Sequence, residues 1–382
     1  MSMSGENQAF LEDLKALVSC QSPTEDLAAV NQVFALANEI VNKNLGSIAP
    51  SEVRTHEGRP LLWWGSKNPE IILFSHLDTV WPIDSFLPLW DVRGDAIHAP
   101  GIFDMKCGFL QGVYAIKNLT NKSELANIAE KVAIIATSDE ETGSFTTREL
   151  IKSTSANAKA VLILESALDG KVKTARKGTA MYTVAVHGRA AHAGLEPEKG
   201  INASVELAHL IIAMEKLSNT ARTTTVVPTV ISGGLTTNTV PALAKVEIDA
   251  RSFSQDELVR IDTQIRELKS QNPEARIEIT GGINRPPLEP ASSEVIFEIL
   301  KSSASKRSLP AVEGVAVGGA SDGNFAAAAG AHVIDGIGAV GAGAHAQNEH
   351  ILVSEIQPRI TLIEGFLEDL VAALPTLKNM KK

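Results

Sequence analysis

The chain has 382 residues, a length that suits two domains. Apolar residues make up 44 % and charged residues 21 %, which excludes a disordered chain and provides for a sizeable core. With 45 acidic against 35 basic residues, the net charge of -10 speaks against a nucleic-acid backbone or an anionic membrane surface as partner.

The first residues show no basic start followed by an apolar run, and no stretch of about 18 apolar residues occurs, so a cytoplasmic protein without a membrane span is expected. Cys20 and Cys107 are too few for a disulfide framework or a cysteine-rich metal site and are expected as free thiols. Apolar positions at helical spacing predict helices over 6–19 and 24–43. Ile71–Phe74, Val132–Ala136 and Val161–Leu164 are short apolar runs read as buried strands, and 105–119 reads as a helix between the first two. Further helices are predicted near 291–304 and 354–373. Buried strands alternating with helices predict an α/β fold, a mostly parallel sheet with helices on both faces.

The middle of the chain has another rhythm: strand 179–187, helix 203–217, strands 223–231 and 245–251, helix 256–269 and strand 276–280. This β-α-β-β-α-β order is ferredoxin-like. It predicts a domain at 179–287 inserted into a discontinuous larger one, 1–178 and 288–382, with Pro286, Pro287 and Pro290 marking the return. Residues 314–346, rich in Gly and Ala, are read as tight loops around a site.

The apolar runs end in polar residues: His76 and Asp78, then Asp139, Glu140 and Glu141, then Glu165. In open α/β sheets, sites form outside the carboxyl ends of the strands. Residues two apart in an extended chain point the same way, so Asp78 is placed to orient His76 through one ring nitrogen while the other binds metal. Asp104, just before a helix, reads alone as an N-cap. The acidic triplet reads alone as a solvated turn, yet like charges so close call for a cation or a proton. Glu165 follows a buried strand, where an unpaired carboxylate is costly. A second histidine comes from His345 or His350. Nitrogen and carboxylate ligands in this number suit zinc, with cobalt or manganese as alternatives. Asp104, Glu141 and Glu165 carry three negative charges against the four of two divalent ions. Such a pair activates water and polarises a carbonyl, and Glu140, beside a ligand, is the candidate general base.

The segments HLDTVWP (76–82), GIFDMKCG (101–108), TSDEETGS (137–144), LES (164–166), GRAAHAG (188–194), GGASDGN (318–324) and GAGAHAQNE (341–349) resemble the signature segments of the di-zinc glutamate carboxypeptidase/acetylornithine deacetylase/aminoacylase family. SDEETGSFTTRELI (138–151) is especially similar to the bacterial glutamate carboxypeptidase branch. The likeness runs in order over nearly the whole chain. It implies a hydrolase that cleaves the amide bond of an N-acyl amino acid or short peptide next to a free carboxylate, with N-acyl amino acid deacylase or dipeptidase as alternatives. It implies two zinc ions, His76 and Glu165 completing one site, Glu141 and His345 the other, and Asp104 bridging. His345 is preferred to His350 because it stands four residues before Glu349. The inserted domain is expected to be a lid through which a homodimer forms. His192 resembles the lid histidine that stabilises the oxyanion from the partner subunit, and Asn238 the lid asparagine. Arg251 and Arg285 resemble arginines that hold the substrate carboxylate, with Gly318 and Gly319 offering backbone contacts. A cis peptide after Asp104 is also implied. Cys107 and Ala99 stand where the family commonly has glycine.

Two other enzyme readings and one non-enzymatic reading exist. Gly319-Ala-Ser321-Asp322-Gly323 fits the nucleophile elbow of serine hydrolases, and Asp335 and His345 follow in order, but this leaves Asp104, Glu140, Glu141 and Glu165 unexplained. The glycine-rich stretch 336–343 does not meet the dinucleotide-binding order. A non-catalytic binding scaffold is opposed by the complete ligand set.

Overall fold

The computed structural model describes residues 5–120 and 127–380. The chain forms two compact units, one of Met1–Ala175, Pro290–Ala316 and Ser321–Lys382, the other of Arg176–Glu289 and Val317–Ala320.

The first unit is built on a six-stranded sheet in the order Ser51–His56, Arg59–Gly65, Val132–Thr137, Ile71–His76, Ala160–Ile163, His332–Ile334. The last four strands are parallel. Ile71–His76 and Val132–Thr137 are buried at every position, as strands covered on both faces must be. Leu73, Ile134 and Leu162 join one apolar cluster with Leu14, Phe34, Phe109 and Phe366 of the helices Gly5–Ser19, Leu27–Leu45, Cys107–Thr120 and Ile356–Ala373. The expected α/β architecture is present.

An antiparallel hairpin, Ser51–His56 and Arg59–Gly65, extends the sheet and has no counterpart in the sequence reading. Its two-residue turn is Glu57-Gly58, both at positive φ (47° and 86°), the geometry that matches strand twist. Pro60 and the unbroken apolar run behind it hide the alternation by which a hairpin strand is recognised.

The Gly/Ala-rich segment is more regular than the loops expected of it. It contains the strand Gly314–Val317, the helix Asp322–Ala329 and the strand His332–Ile334. Ser321 caps the helix: its hydroxyl accepts from the Gly323 N–H while the Asn324 side chain accepts from the Ser321 N–H. The alanines that follow are the strongest helix formers, and Gly330, at φ 101°, closes the helix.

The second unit is an antiparallel sheet in the order Thr225–Gly233, Leu243–Ser252, Gly178–His187, Arg276–Arg285, with helices Ala203–Glu215 and Gln255–Arg266. Its chain order is the β-α-β-β-α-β read from the sequence. Leu243–Ser252 alternates strictly, and its inward Val246 and Ile248 pack with Leu207, Leu210, Leu258 and Ile261 in a core of the unit's own.

Among the described residues no helix is long and apolar enough to cross a membrane. Cys20 and Cys107 are free thiols. Ile134 is fully buried at the centre of the first sheet. Ile134→Ala is expected to lower the unfolding free energy of the first unit by about 2–5 kcal/mol, read from the urea midpoint, whereas Leu235→Ser at an exposed position is expected to stay within about 0.5 kcal/mol.

Candidate metal centre and active site

Three adjacent parallel strands deliver His76, Glu140 with Glu141, and Glu165 to one end of the sheet. Asp104 sits in the turn Ile102–Lys106 that opens the helix Cys107–Thr120. This turn lies close against its surroundings. A side chain on Gly101, at φ 66°, would meet Thr79 at 2.4 Å, and one on Gly108 would meet the Leu164 carbonyl at 1.9 Å. The Asp104–Met105 peptide is cis.

The Asp104 carboxylate faces both histidines. Its Oδ1 is 3.3 Å from His76 Nε2 and its Oδ2 is 3.3 Å from His345 Nε2. His76 Nε2 is also 3.8 Å from Glu165 Oε1, and His345 Nε2 is 3.1 Å from Glu141 Oε2. Two trios result, His76–Asp104–Glu165 and Asp104–Glu141–His345, the ligand atoms of each within 4.8 Å of one another. They share Asp104. The first is largely buried, while His345 in the second is half exposed and holds a left-handed backbone at φ 61°. His350 is absent from both trios.

Asp78 lies where it can fix the His76 tautomer, but the shortest contact to Nδ1 comes from its backbone carbonyl, at 3.0 Å, with the carboxylate at 3.5 Å. The carboxylate accepts instead from Thr24 Oγ1 and from the Glu141 N–H, and so ties the first histidine to the opposite trio.

Burial penalises charge on His76, yet hydrogen bonds to Asp104 and Asp78 outweigh it and hold its pKa well above 6.5. Hydrogen bonds to Asp104 and Glu141 push His345 up to about 10. Burial, with repulsion from Asp104, pushes Glu141 up to about 8 despite the His345 contact. Burial likewise opposes charge on Asp104, but the two histidines hold it well below the usual carboxylate range. Protons thus do the work of cations here, and a donor set of imidazole nitrogens and carboxylate oxygens converging on two points fits divalent metal ions.

Other groups hold the centre in roles that the sequence did not assign to them. The buried Glu349 carboxylate accepts from the Trp81 indole and from the backbone N–H of Gly101, Phe103 and Asp104, fixing the Asp104 turn. Its distance from His345 along the chain was the only signal. Asp139 turns inward to accept from Thr146, Thr147 and the Thr147 hydroxyl, so it folds the loop that presents Glu140 and Glu141. Lys173 Nζ stands 3.8 Å from Glu165. Ser321 is buried, donates to Asp335 at 2.5 Å and caps its helix, while His345 lies with Asp104 and Glu141. The serine-hydrolase reading is set aside on that ground.

The remaining expected residues lie in the second unit. His192 and Asn238 are brought together on exposed loops, where the Ala193 N–H donates to the Asn238 carbonyl. Arg251 donates through both arms of its fork to Asp249 and through Nη1 to the Gly318 carbonyl at 3.2 Å. Arg176, not anticipated, donates to the Gly319 carbonyl at 3.2 Å. Arg285 is buried at the end of its strand.

The family model described as "Peptidase family M20/M25/M40" matches residues 72–369. Carboxypeptidase G2 of a Pseudomonas strain is 29 % identical over 389 residues, covering 96 % of this chain and 90 % of that protein. Succinyl-diaminopimelate desuccinylase of Acinetobacter baumannii is 25 % identical over 334 residues, covering 81 % and 85 %. The solved structure of aminopeptidase PepT from Bacillus cereus has the same fold, with a TM-score of 0.77 at 23 % identity over 96 % of this chain and 99 % of that one. The chain belongs to peptidase family M20/M25/M40 and is an enzyme of the peptidase or amidohydrolase class.

Without metal, folded protein holds protons on His345 and Glu141 more tightly than the unfolded chain does. Stabilisation from such groups is fully present below their ordinary values of 6.5 and 4.5 and is lost as pH rises through about 10 and about 8. Chelated protein is therefore expected to lose thermal stability between about pH 5 and 10, and His345→Gln to flatten the upper part of that slope. Thermal melts across the range read both effects.

Proposed function

We propose that this member of peptidase family M20/M25/M40 hydrolyses the amide bond of an N-acyl amino acid or short peptide next to a free carboxylate, at a centre of two divalent metal ions, zinc foremost, with cobalt or manganese as alternatives. The observation that carries the reading is the sharing of Asp104 by two ligand trios. His76 and Glu165 would complete one site and Glu141 and His345 the other. Bound there, the ions would supply Lewis-acid activation of the attacking water and of the scissile carbonyl.

The chain's own residues do the rest. Glu140, next to a ligand and bordering the same small cavity as His76 and Glu165, takes a proton from the attacking water and passes it to the leaving amine. Asp78 keeps the His76 ring turned so that Nε2 faces Asp104. His192 accepts from the Gly194 N–H on Nδ1 at 3.1 Å, which leaves the proton of the neutral ring on Nε2. That nitrogen donates to the developing oxyanion, with Asn238 beside it. Arg251, Arg285 and the backbone of Gly318 and Gly319 hold the substrate carboxylate, and Arg176 sets those glycines.

We place the enzyme in the cytoplasm as a homodimer joined through the second unit, with His192 serving the partner's centre. Val205 and Ile212 on one helix and Val227 and Ile231 on the edge strand Thr225–Gly233 are exposed apolar residues suited to such a contact. Relatives named as a carboxypeptidase and as a desuccinylase agree with amide hydrolysis in general. Glutamate-carboxypeptidase-like activity is the first choice and deacylase or dipeptidase activity the second.

Hydrolysis of a panel of N-acyl amino acids, N-acyl-glutamates included, is expected to vanish on chelation and return with zinc. Activity indifferent to the chelator would overturn the reading. Glu140→Gln is expected to retain metal, measured by elemental analysis, while kcat falls by roughly 10²–10⁴-fold; near-normal turnover would remove Glu140 from the role of base.

A further inference from the structure

The two oxygens of Glu165 face different partners. Oε1 lies 3.8 Å from His76 Nε2, within the first ligand trio, and Oε2 lies 3.8 Å from Lys173 Nζ. Both side chains are buried, at 9 % and 11 % exposure. The lysine reaches this point through a slot made for it. Its strand, Val172–Arg176, is clamped beside the candidate centre: the Lys173 N–H donates to the Asp335 carbonyl at 2.7 Å, and the Asp335 N–H donates to the Lys173 carbonyl at 3.2 Å. Gly336, at φ 66°, lies against the lysine stem, and a side chain there would meet Lys173 Cγ and Cδ at 3.0 Å. Backbone pairing and a glycine thus bring one buried ammonium to the outer oxygen of a ligand.

A buried charge is costly unless it keeps its partners. Were Glu165 to turn both oxygens to one ion, Oε2 would leave Lys173, and the ammonium would lose that partner. The pair therefore favours the arrangement in which one oxygen serves the metal and the other stays with the lysine. The same ammonium opposes the entry of a divalent ion, because like charges repel most where water is excluded. Its charge reaches Asp104 as well, the ligand that both trios share.

We propose that Lys173 is a positioning residue that limits Glu165 to one oxygen toward the metal of the His76–Asp104–Glu165 trio. It thereby keeps that ion at a low ligand count, with a position open to substrate, and holds it less tightly than the bare ligand set would. The proposal rests on the two-metal reading above.

The test compares the full chain with Lys173→Met, which keeps the stem and removes the charge, and with Lys173→Arg, which keeps the charge. Cobalt(II) is the probe, because its visible absorption weakens as its ligand count rises. In Lys173→Met, Glu165 is free to bind through both oxygens. The molar absorption of the loaded protein is expected to fall by roughly a quarter or more, one of two sites having gained a ligand. Cobalt binding at that site, read by calorimetric titration, is expected to tighten by roughly tenfold or more, the scale on which partners of metal ligands act. Lys173→Arg is expected to match the unaltered protein in both. Should Lys173→Met fold poorly, Lys173→Gln serves the same comparison. A lysine that only fills its slot gives another result: an unchanged spectrum, or cobalt bound equally well or more weakly without the charge. Either outcome overturns the inference and leaves the two-metal reading standing. If the unaltered protein takes up no cobalt by elemental analysis, the two-metal reading falls and the inference falls with it.

Discussion

Everything at the candidate centre depends on holding one carboxylate between two imidazoles. Asp104 presents one oxygen to His76 and the other to His345, so a rotation or small shift of its turn would break both trios at once. The restraint comes from Glu349, whose two oxygens gather three backbone N–H groups and an indole. Burial raises the Glu349 pKa, and those donors, which favour its charged form, offset part of the desolvation. A buried acid that itself binds no histidine thus supports the acid that binds two.

The sheet supplies the second constraint. Parallel register puts His76 opposite Thr137 and Phe74 opposite Ile163, so three strand ends stop within one layer. The residues just beyond them arrive together without any long loop. His345 comes from outside this layer, on an exposed turn with a strained backbone. One trio is therefore formed almost wholly by core elements, and the other is closed by a residue at the surface.

Much of this was legible in the sequence, for a physical reason. A polar residue ending a fully apolar run is conspicuous because its burial must be compensated, and His76, Glu141 and Glu165 all stand that way. Asp104 looked like an N-cap and His345 like one of two choices; only the resemblance to a family separated them from their bland readings. The supporting roles of Glu349, Asp139 and Arg176 went unrecognised because most of their partners are backbone groups, which leave no trace in side-chain pattern. The hairpin at 51–65 was missed because its second strand is covered on both faces, which erases alternation there. The helix Asp322–Ala329 was missed because alanine and glycine together suggest loops, although a serine cap and a terminal glycine were both present.

Charge is distributed in a way that composition conceals. A net charge of -10 says nothing of where cations gather. In the second unit, Arg176 and Arg251 meet at the glycines of Val317–Ala320, and Lys177 is near enough to Arg251 for repulsion, after burial, to lower its pKa. The segment 317–320 makes that meeting possible, because it returns four residues of the C-terminal half of the chain to the second unit. Two backbone carbonyls are thereby set against arginines that would otherwise repel each other, and the hydrogen bonds that orient those guanidinium groups are made before any substrate arrives.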